Sequence, residues 1–267
     1  MGAAQVNKPS GTRRSSVDDA EITRFSALAK TWWDSEGPMR PLHRLNPVRL
    51  GVIRDHFAAQ TGREPLAPRP LDGLRLLDVG CGGGLVCEPL CRLGAEVVGI
   101  DAAKPTIKAA RHHAEGAGLS VDYRETTAET LADAGEQFDG VLALEIVEHV
   151  ADLDLFLSAC ASLIRRGGGF VGATLNRTPQ SYALAIIGAE YVMRWVPRGT
   201  HDWSKFVRPS EFVDTLRRHG VTADALTGIR YRPVAGTWAL SDDLSVNYMI
   251  VGHHAALAAV RGDSSLC

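Results

Sequence analysis

The amino-acid sequence predicts an α/β fold, with a mostly parallel seven-stranded sheet flanked by helices. Two observations support this prediction. From residue 73 onward, short apolar runs alternate with stretches of helical pattern, and the first run ends at Asp78, just before a loop dense in glycine. Parallel strands need crossover connections, which are usually helices, whereas antiparallel strands can be joined by short turns. The alternation therefore favours a parallel sheet with helices on both faces.

Each element has its own local signal. Apolar runs rich in β-branched residues predict strands, and longer amphipathic stretches predict helices. Pro105 lies in the first turn of one such helix, a position where its missing N–H costs nothing. The predicted strands are 74–79, 95–100, 121–124, 138–144, 170–175, 228–231 and 246–252. The predicted helices are 85–93, 104–117, 152–164 and 209–219.

Two segments lie outside this alternation. The segment before the first strand has a helical pattern broken by prolines, which predicts an N-terminal helical cap. The segment after the fifth strand is too long for an ordinary loop, and its apolar middle predicts a helical insert that contacts substrate or membrane. The predicted boundaries are a disordered tail at 1–20, the cap at 21–72, the α/β domain at 73–254 with its insert at 178–207, and a C-terminal tail at 255–267.

Composition excludes several classes of function. The chain has 267 residues and a formal net charge of −2, so no overall basic field attracts nucleic acid. Its five cysteines lack paired CxxC spacing, which favours reduced thiols in the cytoplasm over disulfides or zinc. There is no apolar run of about 18 residues, so no transmembrane helix is expected.

The glycine loop LLDVGCGGGL, residues 76–85, indicates a nucleoside site. Gly80 and Gly82 match the first two glycines of a dinucleotide-binding loop, but Leu85 occupies the position of the third. Asp101 closes the second strand, where a carboxylate can accept both hydroxyls of a ribose. This pattern resembles the class I S-adenosylmethionine-dependent methyltransferases, in which the loop approaches an amino acid and a ribose instead of a pyrophosphate. A nicotinamide-dependent dehydrogenase is the second reading.

The end of the fourth strand carries the sequence EIVEH. If a helical turn begins there, Glu145, Glu148 and His149 share one face, at positions i, i+3 and i+4. Two carboxylates and an imidazole at the strand ends suit a divalent metal or acid–base chemistry. The alternative is a solvated helix start with acids favoured by the helix dipole. The position beside the expected nucleoside favours a functional role.

Several further segments resemble one family, the ubiquinone-biosynthesis O-methyltransferases. The resemblance covers about residues 23–252, and its motifs outside the glycine loop are specific to that family. They are WWD at 32–34, GPMRPLHRLNPVR at 37–49, EIVEH at 145–149, TLNR at 174–177, GAEY at 188–191, PRGTHDW at 197–203 and DLSVNYM at 243–249.

The resemblance implies methyl transfer from S-adenosylmethionine to a phenolic hydroxyl at two steps. The implied substrates are a 2-polyprenyl-6-hydroxyphenol and a 3-demethylubiquinol. By position, the implied cofactor contacts are Arg44, Asp78, Gly80, Gly82, Asp101 and Leu144. The family also implies magnesium held by Glu145, Glu148 and His149. The partners it suggests are an anionic surface of the inner membrane, where the protein would be peripheral, and other enzymes of the pathway.

Two mechanisms and several rival functions stay open from the sequence. A free phenol has a pKa of about 10, so either a metal must stabilise the phenolate or His149 must act as a metal-free base. The insert could dock on a bilayer or pack on the protein's own core. A methyltransferase with another acceptor and a non-catalytic subunit that recruits quinone-pathway enzymes are further alternatives.

Overall fold

A single mixed sheet forms the centre of the protein. The structure is a computed structural model and describes residues 15–184, 202–233 and 235–255. The strands are β1 (Arg75–Val79), β2 (Glu96–Asp101), β3 (Asp122–Glu125), β4 (Phe138–Leu144), β5 (Ile164–Leu175), β6 (Val221–Arg232), β7 (Thr237–Ser241) and β8 (Asn247–His254). Their spatial order is β3-β2-β1-β4-β5-β8-β6-β7. The first five strands pair in parallel, and β8, β6 and β7 pair antiparallel.

Helices cover the sheet and precede it. They are α1 (Asp19–Leu28), α2 (Arg40–Gln60), α3 (Cys87–Arg92), α4 (Lys104–Gly116), α5 (Ala128–Asp133), α6 (Leu153–Leu163), α7 (Pro179–Ser181) and α8 (Pro209–Arg218). Because side chains alternate along a strand, neighbouring residues enter different cores. Leu76 and Leu142 belong to one buried cluster, whereas Leu77 and Val141 belong to the other. The predicted parallel α/β architecture is confirmed.

The sheet has eight described strands, so the predicted count of seven is wrong. The additional strand is β7, which pairs only with β6 at the sheet edge. Its five residues are all exposed or half-buried, and so short an edge strand has little hydrophobic signal. The short helix α5 was also not predicted, and β5 and β6 are longer than their apolar runs suggested.

The N-terminal segment joins the fold earlier than expected. Within the predicted tail, residues 15–20 are described, and Ser16 is buried. The Ser16 N–H donates to Glu129 Oε1 at 2.9 Å, and its carbonyl accepts from the Ala151 N–H at 2.7 Å. Asp18 then caps α1 by accepting from the Ala20 N–H. The boundary placed at residue 20 is therefore too late.

The cap packs directly on the glycine loop through two tryptophans. The Trp32 ring lies so close that a Cβ atom added at Gly82 would stand 2.2 Å from its Cη2 atom. The Trp33 indole N–H donates to the carbonyl of Gly83 at 2.9 Å. The same indole stacks on the ring of His113 in α4, with centroids 3.4 Å apart and an interplanar angle of 3°. The cap thus closes the sheet's C-terminal edge, where α/β folds bind ligands.

The described part of the chain contains no helix that is both long and apolar enough to cross a bilayer. Most of the predicted insert, including Ile186, Ile187 and Trp195, lies outside the described residues.

Candidate active site

A cavity of about 400 Å³ lies under the cap, at the carboxyl ends of β1, β2 and β4. Seven of the residues singled out from the sequence line it: Asp78, Gly80, Asp101, Leu144, Glu145, Glu148 and His149. Arg24, Trp32 and Arg49 also line it and were not proposed as site residues from the sequence. The predicted residues therefore lie around one cavity, and the cap adds residues to its lining that the sequence analysis did not single out.

The glycine loop is fixed by β2 and shaped by protein side chains. The N–H groups of Gly80 and Cys81 both donate to the carbonyl of Ile100, at 2.8 and 2.9 Å. Gly80 and Gly82 have φ values of 72° and 56°, a region that favours glycine. Gly80 lines the cavity, whereas Gly82 lies against Trp32 and is not part of the lining. The structure therefore shows a packing role for Gly82, and its contact with the cofactor stays a prediction.

Asp101 links the loop to the cavity. Its Oδ2 atom accepts from the Gly82 N–H at 3.1 Å, and its Oδ1 atom accepts from the Ala103 N–H at 2.8 Å. Burial raises the pKa of Asp101, while these two hydrogen bonds oppose the rise. Each carboxylate oxygen has a further lone pair. Asp101 can therefore accept two more hydrogen bonds from a ligand that carries adjacent hydroxyls.

The charges around the cavity favour a cationic ligand. Its lining holds four carboxyl groups, from Asp78, Asp101, Glu145 and Glu148, against the guanidinium groups of Arg24 and Arg49. Burial raises the pKa of Asp78 to about 7; the hydrogen bond from Cys87 and the charge of Arg49 oppose this rise, and Asp101 adds to it. A positive group beside Asp78 would stabilise its ionised form. A pyrophosphate would instead meet repulsion here, which disfavours the dinucleotide reading.

Arg49, not Arg44, is the arginine that reaches this site from α2. Arg44 is exposed and does not line the cavity, so its contact with the cofactor stays a prediction implied by the family. Five residues turn an α-helix by about 500°, which puts the two arginines on different faces. Arg49 shares the buried face with Leu45 and Ile53. Its guanidinium donates to Asn46 Oδ1 at 2.5 Å and lies 3.4 Å from Glu145 Oε1.

The EIVEH segment does not form the predicted helical turn. Glu145 has a φ of 51°, and only a short 3-10 turn follows, at Val147–His149. Glu145 pairs with Arg49, while Glu148 Oε2 accepts from the Thr174 hydroxyl at 2.7 Å. Burial, with a contribution from the charge of Glu145, raises the pKa of Glu148 to about 7. The three side chains border one cavity, but not as one face of a helix.

These side chains do not fit a magnesium site. Magnesium requires near-octahedral oxygen ligands. Glu145 is directed to a guanidinium, Glu148 to a buried hydroxyl, and His149 Nδ1 to Glu21 of α1 at 3.2 Å. No group of three or more His, Cys, Asp or Glu side chains in the described ranges could hold a metal ion. The geometry therefore does not support the predicted metal.

The chain is similar to known methyltransferases in sequence and in structure. Residues 77–172 match the family model of a methyltransferase domain. In structure, the chain is similar to magnesium protoporphyrin IX methyltransferase from Synechocystis with bound SAM, at a TM-score of 0.57 and 17% identity, covering 91% of this chain and 100% of that one. It is also similar to a possible histamine N-methyltransferase from Thermotoga maritima, at a TM-score of 0.56 and 16% identity, with 88% and 98% covered. At these identities the likeness shows a shared fold only.

Proteins that are similar in sequence identify the family more closely than those that are similar only in structure. Ubiquinone biosynthesis O-methyltransferase from Mesorhizobium japonicum is 56% identical over 239 residues, which cover 90% of this chain and 96% of that protein. The protein of the same name from Cereibacter sphaeroides is 54% identical over 236 residues, covering 88% and 96%. Similarity at this level over nearly the whole length shows that the chain belongs to the ubiquinone biosynthesis O-methyltransferase family.

Proposed function

We propose that this protein transfers the methyl group of S-adenosylmethionine to a phenolic oxygen of polyprenylated precursors of ubiquinone. The substrates are a 2-polyprenyl-6-hydroxyphenol and a 3-demethylubiquinol, so that one site serves both O-methylation steps. The observation that carries the proposal is the acidic cavity at Asp78 and Asp101, in a chain 56% identical to a ubiquinone biosynthesis O-methyltransferase. S-Adenosylmethionine combines two positive centres with a ribose, which suits that lining.

The residues that hold the cofactor follow from their chemistry. Asp101 has one free lone pair on each oxygen for the ribose hydroxyls. Asp78 offers a buried carboxylate to the ammonium group, and Arg49 offers a guanidinium to the carboxylate of the methionyl part. Leu144 supplies an apolar wall. A second cavity, of about 90 Å³, adjoins Asp101 and is lined by Ile100, Ala102 and Ala128, which suits the adenine base.

The protein must also remove a proton from the acceptor. S-Adenosylmethionine supplies an activated methyl group, so the chain's tasks are to align the acceptor oxygen and to take its proton. His149 borders the cavity and makes no hydrogen bond through Nε2 to any described residue. We assign it the role of general base. No described set of side chains supports a metal at this point, and the metal-free route needs none.

A methyl-transfer assay tests this function. With a short-tailed demethylubiquinol, the wild type should form methylated product from S-adenosylmethionine. Titration calorimetry should detect binding of S-adenosylmethionine to the protein, but no binding of NAD. His149→Ala should lower kcat by about 100-fold or more, because a positioned base contributes roughly 10²–10⁴-fold. The matched control is His112→Ala, which removes an exposed histidine on α4 and should leave kcat unchanged.

Each rival gives a different result in this assay. Binding of NAD would favour the dehydrogenase, and full methyl transfer by His149→Ala would exclude the assigned base. A chelator should leave the rate unchanged; a loss restored by magnesium would reinstate the predicted metal. No turnover on the quinol, with turnover on a small soluble phenol, would indicate another acceptor.

We further propose that residues 178–207 dock reversibly on an anionic bilayer surface, where such apolar substrates reside. Tyr182 and Leu184, the last described residues before the gap, are 47% and 52% exposed. Exposed apolar side chains with basic neighbours such as Arg177 and Lys205 are typical of interfacial segments. Co-sedimentation with anionic liposomes should fall when Ile186, Ile187 and Trp195 are changed to polar residues. Equal sedimentation of variant and wild type would show that the insert packs on the protein instead.

A further inference from the structure

The N-terminal cap places a carboxylate against the ring of the assigned base. Glu21, in the first turn of α1, has its Oε2 atom 3.2 Å from Nδ1 of His149. Both side chains are largely buried, with 17% and 10% of their surfaces exposed. Phe25, one turn further along α1, packs edge-on against the imidazole at a centroid distance of 5.1 Å. One short helix thus holds the histidine ring through two contacts.

We propose that Glu21 is a positioning residue that fixes the orientation and the tautomer of His149. The inference rests on the proposed role of His149 as the base. A carboxylate can only accept hydrogen bonds, so the Glu21 contact requires the proton on Nδ1. Nε2 then keeps a lone pair, and this is the nitrogen that makes no hydrogen bond to a described residue. That lone pair is what a base needs to accept the phenolic proton.

The neighbouring charges support this assignment. Arg24 donates to the same Oε2 atom of Glu21, and its terminal nitrogen lies 3.3 Å from Nδ1 of His149. Arg24 and His149 lie close together because both donate to the same oxygen of Glu21. Lys205, from the segment before α8, lies 3.8 Å from the other carboxylate oxygen and 2.9 Å from Asp18. Burial raises the pKa of Glu21, but the hydrogen bond from His149 and these cations outweigh it and hold the pKa below its ordinary value.

A competing arrangement would leave the base unable to act. If Arg24 donated to Nδ1, the proton would sit on Nε2 and point at the acceptor. Nδ1 lies 3.2 Å from a charged oxygen and 3.3 Å from the guanidinium nitrogen. Because an ionised acceptor strengthens a hydrogen bond, the carboxylate is the preferred partner. No local pattern indicates this contact, since Glu21 is far from the EIVEH segment along the chain.

Glu21→Gln removes the charge and keeps the shape. We expect kcat for methyl transfer to fall about 10-fold or more, with the KM for S-adenosylmethionine within error of the wild type. The melting temperature should fall modestly, because the ion pairs of Glu21 with Arg24 and Lys205 are lost. Nitrogen-15 NMR of the histidine side chains should show the Nδ1–H tautomer of His149 in the wild type and a mixture in the variant. The tautomer is read without turnover, so it tests the Glu21 contact even if His149→Ala remains active.

Two controls in α1 separate positioning from simple anchoring. Asp18→Asn removes the ion pair to Lys205 but keeps a side-chain oxygen that can cap α1, and should lower stability slightly without a specific loss of kcat. Asp19→Asn changes an exposed charge in the same turn and should change neither. An Nε2–H tautomer in the wild type would overturn the proposal. So would full kcat in Glu21→Gln, or a loss of kcat matched by equal losses in Asp18→Asn.

Discussion

Asp101→Ala should bind S-adenosylmethionine about 100-fold more weakly than the wild type. The substitution removes the acceptor proposed for both ribose hydroxyls, and hydrogen bonds to a charged group contribute about 1.5–3 kcal/mol each. It also frees the N–H groups of Gly82 and Ala103, which Asp101 holds at 3.1 and 2.8 Å, so the glycine loop loses one of its hydrogen bonds to β2. Isothermal titration calorimetry of the purified variant measures the change directly.

A matched variant distinguishes a local effect from a general loss of folding. Glu96 is exposed at the opposite end of β2, so Glu96→Ala should bind the cofactor as the wild type does. The affinity of Asp101→Asn for the cofactor should lie between those of the other two variants. Its amide oxygen can still accept a hydrogen bond, but its NH₂ group would face a backbone N–H, and both are donors. Binding by Asp101→Ala within threefold of the wild type would show that the ribose lies elsewhere.

The sequence predicted the parallel half of the fold well because each signal there was local. β4 was predicted with its observed bounds, since Phe138 and the apolar run Val141–Leu144 mark its two ends. Helix α4 was predicted to within one residue, because Pro105 marks its first turn. The edge strand β7 was missed for the opposite reason, since none of its residues is fully buried and its burial does not alternate.

The sequence indicated which strand ends border the cavity, and only part of the cavity's lining. Strand ends determine where Asp78 and Asp101 lie, so the pattern of strands was sufficient for them. The face of α2 that is buried depends on what packs against it, and Arg44 was therefore chosen where Arg49 lines the cavity. The left-handed backbone of Glu145 has no signal in the sequence, because a residue other than glycine rarely adopts it.

The contacts between the cap and the glycine loop join residues that are far apart in the sequence, so local sequence patterns could not predict them. Trp32 and Trp33 belong to a recognisable motif, yet nothing in that motif indicates that they pack on Gly82 and Gly83. The density of glycines was interpreted as close approach to a ligand. The structure shows that part of it is close approach to the protein itself, which gives the loop a second requirement for small residues.

Gly84→Ala should destabilise the protein by about 2–5 kcal/mol. Gly84 has a φ of 87°, and an added Cβ atom would stand 2.0 Å from the hydroxyl oxygen of Tyr123. The left-handed backbone costs a residue with a Cβ roughly 1–2 kcal/mol, and overpacking of a buried site adds about 1–3 kcal/mol. Denaturant unfolding of the variant and the wild type, without cofactor, measures the sum.

Two further variants separate the backbone cost from the steric clash. Gly118 has a φ of 67° with nothing within 4 Å of an added Cβ atom, so Gly118→Ala reports the backbone term alone. The Tyr123 hydroxyl is buried without a hydrogen-bond partner among the described residues, so Tyr123→Phe alone should be neutral or slightly stabilising. Combined with Gly84→Ala, it should recover only part of the loss, because the ring carbon Cζ would still lie 2.8 Å away. Equal destabilisation by Gly84→Ala and Gly118→Ala would mean that Tyr123 yields freely, and that the glycine is required by its backbone conformation alone.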